Sequence, residues 1–438
     1  MNPTVEIKRM SYGTAGIGQL PDGKTVFVEG AAPGDVATIE ITEEKSSFAR
    51  ARVVEVVEAS PSRVAPQSLD DEVAGTAPWQ HIAYDAQLRE KRANVVSQLV
   101  RTARVAADVA DGLVADCLPS KRQWGYRNKV ELGCATGSDG LLEVGFFRGG
   151  TNELVSVSTT RLAHKAIERS PKALRGALRF SQGTRDLGIY RIGVRHSLAT
   201  GDLEIALWTR PGAFPRGLFA KTLSTALKAT SVVRVLADEG KARKVKGVEI
   251  LEGRGTWREK IGDATFTTTA PSFFQVNTAQ AGRLVEAVLA GLGDVDGAFV
   301  ADLYSGGGTF SIPLALAGAD VVAVESAGSS VRDLRRNADA NGVEIEVIGG
   351  DAARELDDLE GVEALVVDPP RAGLADGVPA QIAALGPERV AYVSCNPSTW
   401  ARDVERFALC GYQLASVQPV DMFPQTYHVE IASIFQPA

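Results

Sequence analysis

Short runs of β-branched and apolar residues, separated by glycine and proline turns, open the chain. The strand-like runs are residues 5–10, 25–28, 36–41 and 48–57. Glycines between residues 13 and 18, with the turn sequences at residues 21–23 and 33–35, are predicted to connect them. Several short strands joined in this way predict a small, OB-like β-barrel over residues 1–59.

The middle of the chain mixes helical and strand-like patterns. Residues 86–106 place apolar side chains at helical spacing on one broad face, which predicts a helix. Strand-like runs separated by glycine turns follow at residues 130–134, 142–147, 188–195, 203–209, 232–236 and 248–251. The mixture predicts a central α+β domain with antiparallel strands and a helical linker over residues 60–270.

From about residue 271, strand-like and helix-like segments alternate. The predicted strands are residues 299–303, 319–325, 345–348, 364–368 and 390–394, with 432–436 as a last edge strand. The predicted helices between them are residues 309–317, 329–340, 378–385 and 398–410. Such alternation predicts a parallel sheet covered by helices on both faces, a Rossmann-like α/β domain over residues 271–438.

Composition narrows the class of protein. The 438 residues are 45% hydrophobic and 23% charged, as in ordinary globular proteins. Neither a bilayer-spanning apolar run nor a signal-peptide core is present, and the four widely spaced cysteines form no disulfide or zinc pattern. We therefore expect a reducing, cytoplasmic location and no membrane partner. The net charge of −7 requires that any nucleic-acid binding use a local basic patch.

A glycine-rich loop at residues 306–308 lies between the first predicted strand and helix of the C-terminal region. Glycines there let a ligand approach the backbone closely. Glu325 ends the next strand, where an acid commonly holds ribose hydroxyls, and Asp351 and Asp368 end the following two. The loop lacks the Lys-Ser/Thr of a phosphate-binding loop. An adenosine cofactor without pyrophosphate fits this pattern, and S-adenosylmethionine fits it better than NAD.

Two residues are candidates for chemistry at the same edge. Cys395 directly follows the predicted strand at residues 390–394, so its thiol should emerge beside Asp368. A nucleophilic cysteine must react as thiolate. Glu430 lies on a predicted strand near the C-terminus, and a carboxylate that reaches the thiol's substrate would act as general base. The remaining cysteines are expected to be small buried hydrophobic residues.

Together these residues resemble the RNA uracil-5 methyltransferase family. The matching segments are residues 273–277, 302–315, 324–325, 367–374, 392–403 and 428–430, in the family's order and spacing. Residues 5–59 resemble the TRAM domain, a small RNA-binding β-barrel, so the resemblance covers nearly the whole chain.

The resemblance implies methylation of carbon 5 of a uridine in structured RNA, with S-adenosylmethionine as methyl donor. It implies that Cys395 adds to carbon 6 of the ring and that Glu430 removes the proton from carbon 5. The cofactor-binding residues implied by the family are Gln275, Tyr304, Glu325 and Asp368.

Two further residues are expected to contact RNA. Phe273 is placed to stack on a base that has left its helix, and a core position is the alternative. Arg127 lies in residues 121–129, which hold four basic and two aromatic residues and no acid. Phosphates attract such charges and unpaired bases stack on such rings, whereas a solvated basic face is the alternative.

The chain departs from the family at one cofactor. Many members carry an iron–sulfur cluster on four cysteines that follow the TRAM domain. The matching residues 66–82 contain no cysteine, and the last ligand would fall near Arg161. Thiolates are the ligands of such clusters. We therefore expect no cluster here, with packing of the central domain in place of its cross-link.

Several alternatives stay open. The substrate is 23S ribosomal RNA or the T-loop of transfer RNA, and the TRAM domain favours ribosomal RNA by family habit. An amine-directed RNA methyltransferase is a second enzyme class, because Asp-Pro-Pro-Arg at residues 368–371 is similar to the motif of those enzymes, which need no thiol. A non-catalytic RNA-binding protein is the third, although Cys395 and Glu430 are both retained.

Overall fold

A computed structural model describes residues 2–149, 151–240 and 244–438. Within these ranges the strands form, in order along the chain, a closed barrel, a seven-stranded sheet, a hairpin and a second seven-stranded sheet. No helix in the described part of the chain has the length and apolar character needed to cross a bilayer.

The N-terminal barrel is closed in the strand order β1-β2-β3-β5-β4. Its strands are β1 (Thr4–Met10), β2 (Gly16–Gln19), β3 (Thr25–Glu29), β4 (Val36–Glu44) and β5 (Phe48–Glu58). The strand β2 corrects the prediction of a turn at Gly16 and Gly18. A Cβ at Gly16 would meet Ile7 at 2.6 Å, and one at Gly18 would meet the Glu6 carbonyl at 2.8 Å. Glycine is needed here for close strand packing rather than for turning.

Three helices follow the barrel. They are α1 (Leu69–Ala74), α2 (Tyr84–Arg101) and α3 (Ala107–Leu113). The helix α2 ends five residues before the predicted 106, and Arg104 beyond it adopts a positive φ of 60°. Val95 and Leu99 of α2 are fully buried in a core that they share with the C-terminal sheet.

The central sheet has the order β12-β11-β10-β9-β6-β7-β8. Its strands are β6 (Lys129–Thr136), β7 (Leu142–Phe147), β8 (Leu154–Val155), β9 (Ile189–His196), β10 (Leu203–Thr209), β11 (Ser231–Ala237) and β12 (Val245–Gly253), with α4 (Ser170–Gln182) and α5 (Arg216–Leu227) between them. The prediction of antiparallel strands is wrong for one pair, because β10 and β11 run parallel. A parallel pair requires a crossover, which α5 provides.

The C-terminal sheet has the order β17-β16-β15-β18-β19-β21-β20. The hairpin β13 (Trp257–Ile261) and β14 (Ala264–Thr268) precedes it, and its strands are β15 (Phe299–Leu303), β16 (Asp320–Val324), β17 (Ile345–Ile348), β18 (Ala364–Val367), β19 (Arg389–Ser394), β20 (Tyr412–Val420) and β21 (Glu430–Pro437). The helices are α6 (Thr278–Leu292), α7 (Ser311–Leu316), α8 (Gly328–Asn341), α9 (Ala352–Glu355), α10 (Val378–Leu385) and α11 (Pro397–Leu409).

In this sheet β15 to β19 are parallel, and β21 and β20 extend the edge antiparallel. Apolar cores lie on both faces, so the Rossmann-like prediction is confirmed. Segments from outside residues 271–438 share these cores, with α2, α3 and the chain after α3 on one face and the β13–β14 hairpin on the other. The division of the chain at residues 59 and 270 stays a proposal.

Candidate active site

Three candidate residues, and Asp302, which sequence reasoning did not single out, lie at one edge of the C-terminal sheet. Asp302 is near the end of β15, Glu325 directly follows β16, Asp368 follows β18 and Cys395 follows β19. Because these strands are parallel, their carboxyl ends meet at the same edge, which is where ligands bind in open α/β sheets.

The loop after β15 has a backbone shape that glycine makes accessible. Gly306 and Gly308 have φ of 57° and 94°, and Tyr304 has 61°, which is uncommon for a residue with a side chain. A Cβ at Gly308 would lie 2.5 Å from Leu334. The side chain of Asn337 donates a hydrogen bond to the Gly307 carbonyl at 2.9 Å. The loop is therefore held in one conformation next to the strand ends.

Glu325 holds this loop from the neighbouring strand. Its carboxylate accepts hydrogen bonds from the backbone N–H of Gly306 at 2.9 Å and of Ala327 at 2.6 Å. A carboxylate has further lone pairs for ribose hydroxyls. Asp351 differs, because it accepts from the Ala353 N–H at 3.1 Å and caps α9. Helix capping therefore accounts for that acid.

Two acids at these strand ends have raised pKa values, the fully buried Asp302 and the partly exposed Asp368. The side chain of Asp302 accepts a hydrogen bond from the Ser311 hydroxyl at 2.5 Å, and its Oδ1 has no partner. Burial raises the pKa of Asp302 to about 7, and the Glu325 charge adds to this. Burial and the Asp302 charge raise the pKa of Asp368 to about 7 as well. Buried acids with an unsatisfied oxygen favour a ligand that brings hydrogen-bond donors or positive charge.

Cys395 is half-buried between β19 and α11. The side-chain amide of the next residue, Asn396, donates a hydrogen bond to the Arg371 carbonyl at 3.1 Å. Burial raises the pKa of the Cys395 thiol to about 11, and the charges of Glu430 and Asp368 add to this. The positive charge of Arg371 acts in the opposite direction. Arg371 is therefore the neighbour that favours the thiolate.

Glu430 is close enough to the thiol for its charge to act on it. It is the first residue of β21, and His428 lies in the loop before that strand. Ser394 of β19 pairs with Ile431 of β21 in antiparallel register. This last pair of the ladder adjoins Cys395 on one strand and Glu430 on the other, and the Glu430 charge acts on the Cys395 thiol. Burial, reinforced by the Asp368 charge, raises the pKa of Glu430 well above its ordinary value.

A cleft of about 510 Å³ lies beside the loop that precedes Glu430, and Phe273, Arg127, Tyr427 and His428 are among its lining residues. Phe273 is 66% exposed, whereas the adjacent Phe274 is 5% exposed in the core. Phe274 is therefore an aromatic residue of the core, whereas Phe273 is not.

Gln275 lies in the segment between β14 and α6. Its side chain is buried and its carbonyl accepts a hydrogen bond from the Asn128 amide at 2.9 Å. No hydrogen bond joins the Gln275 side chain to that loop in the ranges the structure describes.

Basic and aromatic side chains meet at the cleft wall. The Arg127 guanidinium lies 5.9 Å from the ring centres of both Tyr126 and Phe423. Burial lowers the pKa of Lys129 to about 8. Burial, with Arg371 the largest of the positive charges nearby, lowers the pKa of His428 to about 4, so its imidazole is neutral. Sequence reasoning did not single out Lys129 or His428 as cleft residues.

Comparisons with known proteins decide the family. A TRAM domain model matches residues 3–54, and a tRNA (Uracil-5-)-methyltransferase model matches residues 220–436. An uncharacterized RNA methyltransferase of Lactococcus lactis is 32% identical over 98% of this chain and 95% of its own length. One of Thermosynechococcus vestitus is also 32% identical, over 98% and 97%.

This chain belongs to the tRNA (uracil-5-)-methyltransferase family. The solved tRNA (uracil-54, C5)-methyltransferase of Pyrococcus abyssi, in complex with S-adenosyl-L-homocysteine, is 25% identical with a TM-score of 0.75. The match covers 98% of this chain and 99% of that one. The chain is thus an S-adenosylmethionine-dependent RNA (uracil-5-)-methyltransferase with an N-terminal TRAM domain, and RNA is its substrate.

The site fits this methyl donor. The positive φ of Gly306 and Gly308 shapes the loop beside the strand ends, Glu325 has lone pairs for ribose hydroxyls, and one buried oxygen of Asp302 has no partner among the described residues. The acids at Asp302 and Asp368 complement a sulfonium charge.

The matching region of the iron–sulfur cluster does not fit a cluster. Residues 66–82 and 160–161 contain no cysteine, and no group of three or more acids, histidines and cysteines in the described residues could hold a metal ion. Ser68, Thr76 and Thr160 instead converge on the buried carboxylate of Asp71. The absence of a bound cluster stays a prediction.

Proposed function

We propose that this methyltransferase modifies carbon 5 of a specific uridine by covalent catalysis, with Cys395 as nucleophile and Glu430 as base. The observation that supports the proposal is the pairing of Ser394 with Ile431 at the end of β19 and β21, because Cys395 and Glu430 are the residues next to this pair. Thiol and base then flank one ring, and Asp368 lies on the neighbouring strand end.

The proposed reaction begins at Cys395. Its thiolate forms a bond to carbon 6, and the electrons of the carbon 5–carbon 6 double bond move to carbon 4 and its oxygen as an enolate. When bound, S-adenosylmethionine supplies the methyl group that carbon 5 takes. Glu430 then accepts the proton of carbon 5, the double bond re-forms, and the thiolate leaves carbon 6. The buried setting that raises the Glu430 pKa makes this carboxylate a stronger base than one in water.

The binding residues follow the same geometry. We propose that Tyr304, Glu325 and Asp368 contact the methyl donor, together with Gln275 as the family pattern implies. The charge of Asp368 contributes to the raised pKa of the Cys395 thiol. We therefore propose that Asp368 also contacts the edge of the uracil ring. Phe273 and Arg127 on the cleft are proposed RNA contacts, the exposed ring for stacking and the guanidinium for phosphate.

An amine-directed methyltransferase is the competing chemistry. Such an enzyme needs no thiol, so Cys395 and the neighbouring Glu430 would have no role in its reaction. The variant Cys395→Ala distinguishes the two, because an amine methylase keeps its turnover and a uracil-5 enzyme loses it.

The RNA substrate has two candidates. We propose 23S ribosomal RNA as the first, because an N-terminal TRAM domain is common among the family members that act on it. Transfer RNA is the second, supported by the likeness to the Pyrococcus abyssi enzyme, whose substrate is uridine 54 of tRNA.

Nucleoside mass spectrometry with site mapping tests the proposal, on ribosomal and transfer RNA from cells with and without the gene. Loss of 5-methyluridine at one mapped site is the expected result, and the molecule that carries that site decides between the two substrates. Purified enzyme should restore the same site in vitro, whereas Cys395→Ala should not. An unchanged 5-methyluridine profile, together with no methyl transfer in vitro to either RNA, would contradict the proposal.

A further inference from the structure

A side chain of the N-terminal barrel reaches the candidate nucleophile. Tyr12, in the loop between β1 and β2, donates a hydrogen bond from its hydroxyl to the backbone carbonyl of Cys395 at 3.1 Å. Its ring meets that of Tyr427 edge-on, with ring centres 5.6 Å apart. Tyr427 precedes Glu430 by three residues, so Tyr12 contacts the segments of both proposed catalytic residues.

The loop that carries Tyr12 is fixed on both sides. The carbonyl of Gly13 accepts a hydrogen bond from the Trp79 indole at 3.0 Å. The backbone N–H of Met10 donates to the Glu90 carboxylate of α2 at 2.7 Å, and the Met10 side chain is fully buried against Trp79. The barrel is therefore held against α2 and the Trp79 segment by side-chain contacts as well as by the chain connection.

The Tyr12 loop also lies between two surface grooves. One groove, of about 650 Å³, runs along the barrel and is lined by Arg9, Tyr12 and Ser398 among others. The other is the 510 Å³ cleft, which Thr14 lines from the barrel side. Ser398 is three residues beyond Cys395. The segment from Cys395 to Ser398 thus lies near both the barrel groove and the cleft.

We propose that Tyr12 is a positioning residue for Cys395, so that the TRAM barrel contributes to the chemical step as well as to the protein surface. The inference rests on the proposed covalent function. A carbonyl held by a hydroxyl fixes the peptide that follows Cys395, and this fixes the direction in which its thiol points. The hydroxyl of Tyr12 is a suitable donor, because burial raises its pKa and keeps it protonated.

A matched control exists in the same sheet. Tyr412 also donates its buried hydroxyl to a backbone carbonyl, that of Pro387, at 2.6 Å. It pairs with Pro437 at the far end of β21, away from Glu430. The variants Tyr12→Phe and Tyr412→Phe therefore remove equivalent hydrogen bonds, one beside the thiol and one remote from it.

The test measures the rate constant of covalent adduct formation in a single turnover. The substrate RNA carries 5-fluorouridine at the target position, and S-adenosylmethionine is present. Fluorine cannot leave carbon 5 as a proton does, so the thiol adduct persists. At saturating RNA, Tyr12→Phe should form the adduct about tenfold more slowly than wild type, to the same final amount and with the same RNA dissociation constant. Tyr412→Phe should keep the wild-type rate constant.

Three results would count against the inference. A Tyr12→Phe rate constant equal to wild type would overturn it, as would a lower final amount of adduct at an unchanged rate constant, which indicates a purely structural role. A change confined to the RNA dissociation constant would assign Tyr12 to binding instead. Wild-type protein that forms no adduct would instead overturn the proposed function on which the inference rests.

Discussion

The buried carboxylate of Asp71 accepts a hydrogen bond from the backbone N–H of Arg161 at 2.7 Å. The hydroxyls of Ser68, Thr76 and Thr160 donate to the same carboxylate, each at 2.7 Å. One carboxylate thus joins two segments that are some 90 residues apart. The family resemblance places its cluster cysteines in these two segments, and in this chain hydrogen bonds to Asp71 join them.

Removal of this carboxylate should destabilise the protein. In Asp71→Ala, four donors lose their acceptor in the interior, and we expect the free energy of unfolding to fall by about 3 kcal/mol. Urea denaturation monitored by tryptophan fluorescence measures the change. Glu72→Ala replaces the exposed neighbouring acid and should stay within about 0.5 kcal/mol of wild type. Equal stability of the two variants would show that the Asp71 hydrogen bonds do not hold these segments together.

The protein should carry no iron. Residues 66–82 contain no cysteine and Asp71 fills its surroundings with hydrogen bonds, so we expect a colourless protein after anaerobic purification and an unchanged melting temperature after treatment with an iron chelator. Iron-linked visible absorbance, with iron at stoichiometric amounts, would contradict this account.

The reactivity of Cys395 should rise with pH. Its pKa is raised to about 11 by burial and by the acids nearby, so the thiolate fraction grows steadily towards that value. The rate of alkylation by iodoacetamide, followed at the Cys395 peptide by mass spectrometry, should increase about tenfold for each pH unit between roughly pH 7 and 10. A rate that levels off near pH 9 would mean that the thiol has an ordinary pKa, and a rate that is flat above pH 8 would mean a lowered pKa.

The positive charge of Arg371 is expected to oppose the rise in the pKa of the Cys395 thiol. Arg371→Ala should raise the pKa of Cys395 further and slow its alkylation at pH 9 by at least about threefold. Arg371→Lys keeps the positive charge and should lie closer to wild type. Faster alkylation in Arg371→Ala would show that the side chain shields the thiol rather than favouring the thiolate.

Two adjacent aromatic residues should behave differently. Phe273 is 66% exposed on the cleft, so Phe273→Ala should leave stability nearly unchanged and weaken RNA binding by about 1–3 kcal/mol. Phe274 packs against Trp257 and Phe266 with ring centres 5.2 and 5.6 Å away, so Phe274→Ala should cost about 3–5 kcal/mol of stability. Thermal unfolding and RNA titration separate the two effects. Unaltered RNA affinity in Phe273→Ala would remove that residue from the interface.

The sequence predicted the C-terminal sheet well, because strand runs such as residues 299–303 and 345–348 are short, apolar and bounded by helices. The strand at Gly16–Gln19 was missed, since two glycines there resemble a turn until the close approach of β1 is known. The parallel pairing of β10 with β11 was missed as well, because pairing direction depends on the crossover rather than on the strands themselves.

The residues of the candidate site also fall into those that the sequence could place and those that it could not. Residues that follow strands, such as Glu325 and Cys395, could be placed at one edge from topology alone. The proximity of Glu430 to Cys395 can be inferred only when the antiparallel register of β19 and β21 is known. The hydrogen bond between Tyr12 and Cys395 joins residues 383 positions apart. Such long-range contacts leave no local pattern. For Arg371 the signal was present, because it lies within the segment at residues 367–374 that resembles the family.

The most direct test of the account is the fate of ordinary RNA in Glu430→Gln. A glutamine has the shape of the protonated acid but cannot accept the carbon 5 proton, so methylated adduct should accumulate. Intact-mass and peptide mass spectrometry after incubation with substrate RNA and S-adenosylmethionine should find RNA attached to Cys395, with no free 5-methyluridine product, and no adduct in Cys395→Ala. Normal turnover by Glu430→Gln, or attachment at any residue other than Cys395, would contradict the assignment of nucleophile and base.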